Sequence, residues 1–234
     1  MSDSQIILIS GTSRGIGKYL AERYVESGAT VIGCSRSPVV SESQGYEHLC
    51  ADVSKHDEVK AMFAQIRRKY GRLDVLINSA AVNPAIALSA LMPTAAIQSS
   101  FEVNLLGLMM MCREGVRLMA RGRFGRIVNI GSMATRLEVA GESVYTAMKA
   151  GVNAYTRVLA KEVYKLGITC NVVAPSAVPT GLSTQVDPSA LEEVLSRNAI
   201  PEMGTLRDIS NVIDWLIRRE SHAITGQIIY LGGV

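Results

Sequence analysis

The chain has 234 residues and a net charge of +3, and 48% of its residues are hydrophobic while 19% are charged. This composition is typical of one globular domain with a sizeable core, and it excludes disordered and fibrous classes. Lys and Arg form no stripe, so we expect no nucleic-acid partner. The most apolar stretch, 103–112, is too short to span a bilayer, and no secretory signal is visible. We therefore expect a cytoplasmic protein with no membrane partner.

Apolar strand-like segments and helical patterns alternate along the whole chain. The predicted strands are 5–10, 30–34, 46–50, 73–78, 126–130, 168–173 and 227–231. The predicted helices are 16–26, 54–70 with Ser54 as N-cap, 94 to about 120, 143–166 and 206–218, with a further helix-prone stretch at 187–197. Strands rich in Val and Ile without polar alternation are typical of a buried parallel sheet. The sequence predicts one α/β domain over 1–234, a Rossmann-type doubly wound, seven-stranded parallel sheet with helices on both faces.

Cysteine and histidine are too scattered to indicate a metal site. None of the four cysteines forms a C-x-x-C pair, and the three histidines show no ligand spacing. Each cysteine lies in an apolar segment, which predicts buried free thiols rather than disulfides. These residues are Cys34, Cys50, Cys112 and Cys170.

A glycine-rich turn joins the first strand to the first helix. Its glycines allow a close approach to a pyrophosphate, and the following helix N-terminus offers free N–H groups to that anion. A structural turn could look alike, but the strand before it and the helix after it favour dinucleotide binding. The predicted contacts are Gly11, Thr12, Ser13, Arg14, Gly15, Ile16 and Gly17.

The end of the second strand indicates which dinucleotide is bound. NAD sites usually carry an acidic residue there, whereas this chain has Ser35 and Arg36. Together with Arg14, Arg36 could clamp a 2′-phosphate through charge-assisted hydrogen bonds. Both arginines could also be ordinary surface charges. We favour NADP(H).

Tyr145 and Lys149 stand four residues apart, which places them on the same face of a helix. We expect the ammonium to lower the phenol pKa and make Tyr145 an acid–base catalyst. A Tyr-x-x-x-Lys pair alone is common by chance, but Ser132 ends the fifth strand and could bind the same substrate oxygen. Asn104 is a polar residue inside an apolar helix, where it could simply satisfy backbone groups.

Together, the Gly-x-x-x-Gly-x-Gly turn and these four residues resemble the short-chain dehydrogenase/reductase family over 6–233. The resemblance implies that Asn104, Ser132, Tyr145 and Lys149 form the active site and that basic residues at 14 and 36 mark NADP preference. It implies further cofactor contacts, among them Tyr145 and Lys149. The others are Asp52, Val53, Asn78, Ala80, Pro175, Val178 and Thr180. Asp52 could equally be a turn or cap residue. The chain departs from the family at Ala81, Ser176 and Leu231.

The pattern is most similar to the 3-oxoacyl-(acyl-carrier-protein) reductase branch. This similarity implies NADPH-dependent reduction of a ketone or β-ketoacyl carbonyl, and an acyl carrier protein docking beside the cleft at Arg123. It also implies a lid over about 176–205, and a homotetramer or homodimer formed by helices 94–121 and 143–166. Two alternatives stay open: an NADP-dependent dehydrogenase of a sugar or cyclic alcohol, and a non-enzymatic NADP-binding regulator.

Overall fold

Seven short strands pair in parallel to form one sheet in this computed structural model, which describes residues 4–40, 43–84, 86–179, 192 and 195–233. They are β1 Ile6–Ser10, β2 Thr30–Ser35, β3 Tyr46–Cys50, β4 Val75–Asn78, β5 Gly125–Ile130, β6 Ile168–Ala174 and β7 Ile228–Tyr230. The strand order is β3-β2-β1-β4-β5-β6-β7, and every described pair is parallel. The predicted fold class is confirmed.

Helices connect the strands. They are α1 Gly15–Glu26, α2 His56–Tyr70, α3 Thr94–Phe101, α4 Leu108–Met119, α5 Ala134–Leu137, α6 Ser143–Val163 and α7 Leu206–Leu216. A π-helical segment, Glu102–Gly107, joins α3 to α4, and 3₁₀ turns lie at Ser89–Leu91, Tyr164–Leu166 and Arg219–Ala223. Most of the helix-prone stretch 187–197 lies outside the described residues.

The predicted N-cap of α2 is wrong. Lys55 occupies the cap position and makes no side-chain cap bond. Ser54 instead donates to Asp52 Oδ1 through its backbone N–H at 2.9 Å and its hydroxyl at 2.8 Å. The Asp52 carboxylate therefore closes a turn just before the helix. This is the alternative role, a turn residue, that the sequence analysis left open for Asp52.

Alternate residues of the strands feed two separate cores, one on each face of the sheet. Leu8 packs with residues of α2, α4 and α6, whereas Ile7 and Ile9 pack with residues of α1 and α7. Successive side chains of a strand point to opposite faces, so an all-apolar strand serves both cores. Each fully buried Leu or Ile stabilises the fold by roughly 1.5–3 kcal/mol.

The strand order reverses between β1 and β4, and this reversal places the cleft. The register pairs Ser10 with Asn78 and Asn78 with Asn129, so the carboxyl ends of β1, β4 and β5 lie level. Open parallel sheets bind ligands in the crevice outside such a switch point.

All four cysteines are free thiols, but the prediction that all are buried is wrong for one of them. Cys34, Cys112 and Cys170 are buried, whereas Cys50 is exposed. Cys50 ends β3, the outermost strand beside β2, where the sheet has no further strand to cover it.

The helix Thr94–Met119 is long and apolar enough to cross a membrane by length and composition, with a mean hydropathy of 1.2. The most apolar stretch, 103–112, is only the central part of this helix, whose bounds are close to the predicted 94 to about 120. In the structure its second half packs into the core through Met111, Leu118 and Met119. The helix is thus an integral part of the domain.

Candidate active site

The glycine turn after β1 brings the backbone against the end of β4. Gly11 has φ 78°, and a Cβ there would lie 2.8 Å from the Cα of Ala80. Only glycine satisfies both the left-handed conformation and this close approach. Gly17 lies against the carbonyl of Gly11, which brings α1 tightly onto the turn. The N-cap of α1, Arg14, makes no side-chain cap bond, so the first N–H groups of α1 have no such partner.

A cleft of about 450 Å³ opens beside this turn at the carboxyl edge of the sheet. The predicted cofactor residues in its lining are Gly11, Ser13, Arg14, Gly15, Ile16, Ser35, Arg36, Asp52, Val53 and Ala80. The sequence analysis did not predict cofactor contacts at the other lining residues, which are Cys34, Ser37, Ala51, Ser79, Ala81, Val82 and Val103. Most of these stand next to a predicted contact in the sequence. Their position near the end of a strand was therefore the feature that could have predicted them.

Several predicted contacts lie outside this lining. Thr12 is buried beneath the turn, and Asn78 is buried in the sheet, where it donates to Asn129 Oδ1 at 2.8 Å. Pro175 follows β6 and accepts a bond from the N–H of Met133, and Val178 is buried. Thr180 lies outside the described residues.

The outer end of the cleft is positively charged. Arg14 and Arg36 are both exposed and both line it. Within the described part of the chain, neither forms a salt bridge with an acidic side chain. Two guanidinium groups without acidic partners can bind an anion there.

The structure brings Ser132, Tyr145 and Lys149 together beyond the end of β5. Ser132 comes two residues after the strand, and its hydroxyl lies close enough to the Tyr145 phenol to lower the pKa of that phenol. Tyr145 and Lys149 lie on the first two turns of α6, with the Lys149 Nζ 5.7 Å from the phenol ring centre. Lys149 is 3% exposed, and its Nζ donates to the carbonyl of Ile130 at 2.8 Å. A hydroxyl, a phenol and an amine thus face one another at the carboxyl edge.

The expected acidification of the phenol is wrong. Burial raises the pKa of Tyr145 to about 12, and the nearby Glu142 carboxylate raises it further, against the lowering effect of the Ser132 hydrogen bond. Burial also lowers the pKa of Lys149 to about 8. Loss of hydration disfavours the charged form of both groups. Tyr145 is therefore a protonated hydrogen-bond donor at neutral pH.

Asn104 lies in the π-helical segment and is 1% exposed. Its Oδ1 accepts from the N–H of Val82 at 2.8 Å, and its Nδ2 donates to the Val82 carbonyl at 2.7 Å. Its amide therefore satisfies backbone groups, as one interpretation of the sequence held. The contact fixes Val82, which lines the cleft.

Hydrogen bonds hold the segment after β6, and one of them is made by Ser176, which departs from the family pattern. Ser176 Oγ accepts from Asn198 Nδ2 at 2.9 Å, and the N–H of Gly204 donates to the Ala177 carbonyl at 2.9 Å. Glu142, at the N-cap of α6, is a further acidic group near Tyr145 that the sequence did not single out. No group of three or more His, Cys, Asp or Glu that could hold a metal occurs among the described residues.

Comparisons with known sequences agree over almost the full chain. A family model described as Enoyl-(Acyl carrier protein) reductase matches residues 11–233. The 3-oxoacyl-(acyl-carrier-protein) reductase FabG of Vibrio harveyi is 32% identical over 237 residues, covering 99% of this chain and 97% of that protein. FabG of Escherichia coli is 30% identical with the same coverage.

Solved structures show the same architecture. An actinorhodin polyketide ketoreductase variant with NADPH superposes with a TM-score of 0.89 at 26% identity, covering 100% of this chain and 97% of that one. ElxO with NADP bound gives 0.90 at 25% identity, with 98% and 97% covered. Ligand-free aldohexose dehydrogenase of Thermoplasma acidophilum gives 0.87 at 28% identity, with 98% and 93% covered. The chain belongs to the short-chain dehydrogenase/reductase family, nicotinamide-dependent oxidoreductases of CH–OH and C=O groups, as its motifs predicted.

Proposed function

We propose that this chain is an NADPH-dependent reductase of ketone carbonyls, with 3-oxoacyl thioesters as its leading substrate class. The observation that carries the proposal is the meeting of Ser132, Tyr145 and Lys149 at the carboxyl edge of the sheet, beside the glycine-turn cleft.

The residues present fit a nicotinamide dinucleotide phosphate. The glycine turn lines the cleft with its backbone, packed through Gly11 against Ala80, and the N-terminus of α1, which has no side-chain cap bond, offers N–H groups to a pyrophosphate. Arg14 and Arg36 are available to a 2′-phosphate at the outer end. The bound cofactor would supply the hydride.

The side chains of the site would donate the proton and position the substrate oxygen that receives it. Tyr145 donates its phenolic proton to the substrate oxygen, and Ser132 holds the same oxygen by a hydrogen bond. With a pKa of about 12, Tyr145 keeps its proton at neutral pH yet is a far stronger acid than the alcohol that forms. The buried Lys149, fixed by the Ile130 carbonyl, places its amine beside the phenol.

The substrate class rests on the relatives and on the apolar loop after β4. Leu88 and Leu91 are exposed on that loop, and such surfaces suit an uncharged acyl chain. Reduction of a 3-oxoacyl thioester is the activity named for the FabG relatives. The aldohexose dehydrogenase neighbour supports a second candidate function, which is oxidation of a sugar or cyclic alcohol with NADP.

Docking of an acyl carrier protein requires a second subunit. Arg123 is exposed and its Nη2 donates to the backbone carbonyl of Lys165 at 3.2 Å, so the two residues are neighbours. Both precede strands, β5 and β6, and therefore lie at the amino edge of the sheet, opposite the cleft. The expectation that Arg123 lies beside the cleft is wrong within one subunit. A neighbouring copy would have to present it.

Apolar side chains left exposed on the long helices support a homodimer or homotetramer. Ile97 and Phe101 on α3, Leu106 in the π-helical segment and Val158 on α6 are 36–55% exposed. Burial of such side chains between copies stabilises association. A monomeric sedimentation profile at micromolar protein would contradict this assembly. A cytoplasmic location remains a prediction.

The test is NADPH oxidation by the purified protein, screened against 3-oxoacyl thioesters, ketosugars and quinones. Turnover of thioesters well above the others supports the proposal, and turnover of ketosugars alone favours the second candidate. Tight NADPH binding with no turnover of any compound would indicate the non-enzymatic regulator.

A further inference from the structure

An edge strand reaches beneath the arginine-bearing end of the cleft. Tyr46 and His48 are alternate residues of β3, so their side chains project from the same face. The Tyr46 hydroxyl lies 2.9 Å from His48 Nδ1 and 3.2 Å from Thr12 Oγ1. His48 Nε2 lies 3.1 Å from both Ser35 Oγ and the Ser37 carbonyl. One chain of hydrogen bonds thus joins the glycine turn to the turn after β2.

The chemistry of these atoms constrains the bonds. The Ser37 carbonyl can only accept, so His48 Nε2 carries a hydrogen and donates. The Tyr46 hydroxyl donates to Thr12 Oγ1, and its oxygen lies within hydrogen-bond distance of His48 Nδ1. Tyr46, His48 and Thr12 therefore each have a partner, which is the condition for a rigid polar network.

The neighbouring strand leaves room for this network. Gly33 lies on β2 between the two turns, and a Cβ there would lie 2.7 Å from Thr12 Oγ1 and collide with the Tyr46 hydroxyl. Any larger residue at 33 would separate β3 from the glycine turn. The absence of a side chain therefore permits the contact between Tyr46 and Thr12.

The network closes around Arg36. The Ser37 carbonyl accepts a bond from Ser35 Oγ at 2.8 Å as well as from His48. Arg36 stands between the two serines and lines the cleft with Arg14. The backbone on both sides of Arg36 is thus held from below by an imidazole that does not itself line the cleft.

We propose that His48 and Tyr46 are positioning residues that hold the turn 35–37 so that Arg36 meets the 2′-phosphate, and that they set the preference for NADPH over NADH. The inference rests on the proposed function, because it assumes an NADP(H) site at this end of the cleft. A preorganised turn loses less conformational entropy when the anion binds. The benefit is specific to the cofactor that carries the phosphate, because NADH presents no 2′-phosphate to Arg36.

The test measures the dissociation constants of NADPH and NADH by cofactor fluorescence, without any substrate. For His48→Ala we expect NADPH affinity to fall about five- to tenfold while NADH affinity changes less than about twofold. His48→Gln should recover most of the loss, because its amide can still donate to the Ser37 carbonyl. Tyr46→Phe should give a smaller loss of about two- to threefold in the same direction.

Two control variants separate the outcomes. Glu47→Gln alters the same strand on its other face, where Glu47 pairs with Lys69 and Tyr70, and should leave the ratio of the two affinities unchanged. Arg36→Ala should lower NADPH affinity strongly. If Arg36→Ala does so but His48→Ala weakens both cofactors equally or neither, the inference is overturned while the proposed cofactor stands. If the unaltered protein and Arg36→Ala both bind the two cofactors alike, the proposed cofactor itself fails. Circular dichroism and melting of each variant show that it is folded, and Tyr46→Phe keeps the test open if His48→Ala is not.

Discussion

The site has an outer end, in the cleft, and an inner end beyond β5 whose residues do not line that cleft, and the two ends use charge in opposite ways. At the outer end, Arg14 and Arg36 are exposed and have no acidic partner among the described residues, so their charges are available to a ligand at little cost to folding. At the inner end, Lys149 and Tyr145 are held where burial moves both pKa values toward the neutral forms. The proposed binding thus uses solvated charge, whereas the proposed chemistry uses groups whose burial destabilises the fold.

Removal of the phenol hydroxyl should have the largest effect. Tyr145→Phe deletes the proposed proton donor, so we expect turnover to fall about a thousandfold, within the range of a lost general acid. Dissociation constants for NADPH should stay within about threefold, because the outer end is untouched. The control Tyr155→Phe alters a partly buried tyrosine of the same helix and should retain turnover. Undiminished turnover in Tyr145→Phe would refute the assignment of proton donation to Tyr145 at the inner end.

Lys149→Met should reduce turnover about a hundredfold and yet stabilise the fold. The fall of the Lys149 pKa from 10.5 to about 8 corresponds to roughly 3 kcal/mol of destabilisation while the amine is charged, and loss of its bond to Ile130 offsets ~1 kcal/mol. We expect a gain of about 2 kcal/mol in urea unfolding at pH 7.

The sign of this gain depends on pH. The folded pKa lies below the unfolded one, so the wild-type penalty is complete below about pH 8 and disappears as the pH rises toward 10.5. The advantage of Lys149→Met should therefore shrink between pH 8 and pH 10.5. Lys161→Met, an exposed control on the same helix, should change stability by less than about 0.5 kcal/mol at either pH. Equal stability of wild type and Lys149→Met at pH 7 would refute a buried charge.

Arg36→Asp should act on the outer end alone. Replacing a cation by an anion beside a 2′-phosphate should reduce the NADPH to NADH preference about 10- to 100-fold, with kcat retained for the better cofactor. Arg68→Asp makes the same charge change at an exposed position of α2 and controls for net charge. An unchanged ratio of kcat/KM for the two cofactors in Arg36→Asp would refute the phosphate clamp.

Ser176→Ala should give the smallest effect, in the segment that flanks the inner end. Without its hydroxyl, Asn198 Nδ2 loses its partner, which costs about 1 kcal/mol locally. Hydrogen exchange should quicken about fivefold at the amides of Ala199 and Ile200, which bond the carbonyls of Gly233 and Gly232. The N–H of Ser210, inside α7, serves as the unaffected reference.

The strands were predictable because their signal is local. Tyr46–Cys50 has the predicted bounds because turn signals stand on both sides of it, although the segment holds one aromatic and no β-branched residue. The strand predicted at 73–78 begins instead at Val75, and Asp74 before it bonds Ile6 through both its carboxylate and its backbone N–H. The cleft residues near strand ends were predictable because the carboxyl ends of parallel strands face the ligand crevice.

The rest depends on tertiary contacts that no local pattern records. The pKa of Tyr145 moved opposite to expectation because its burial could not be read from its spacing to Lys149. Tyr46 and His48 were not singled out, because their partners Thr12 and Ser35 are distant in sequence. Thr180 lies outside the described residues, so its predicted contact stays a prediction.

The π-helical segment Glu102–Gly107 accommodates an extra residue within one long helix. A π turn is wider than an α turn and takes up one more residue, so the helices before and after it keep their phase. Excision of one residue would restore regular winding and leave Thr94–Phe101 and Leu108–Met119 on nearly the same faces. The exposed Phe101 would keep its place, whereas Asn104 would lose the bulged backbone that carries it to Val82. The extra residue therefore serves the wall of the cleft through Asn104 and leaves the surface offered to another copy unchanged.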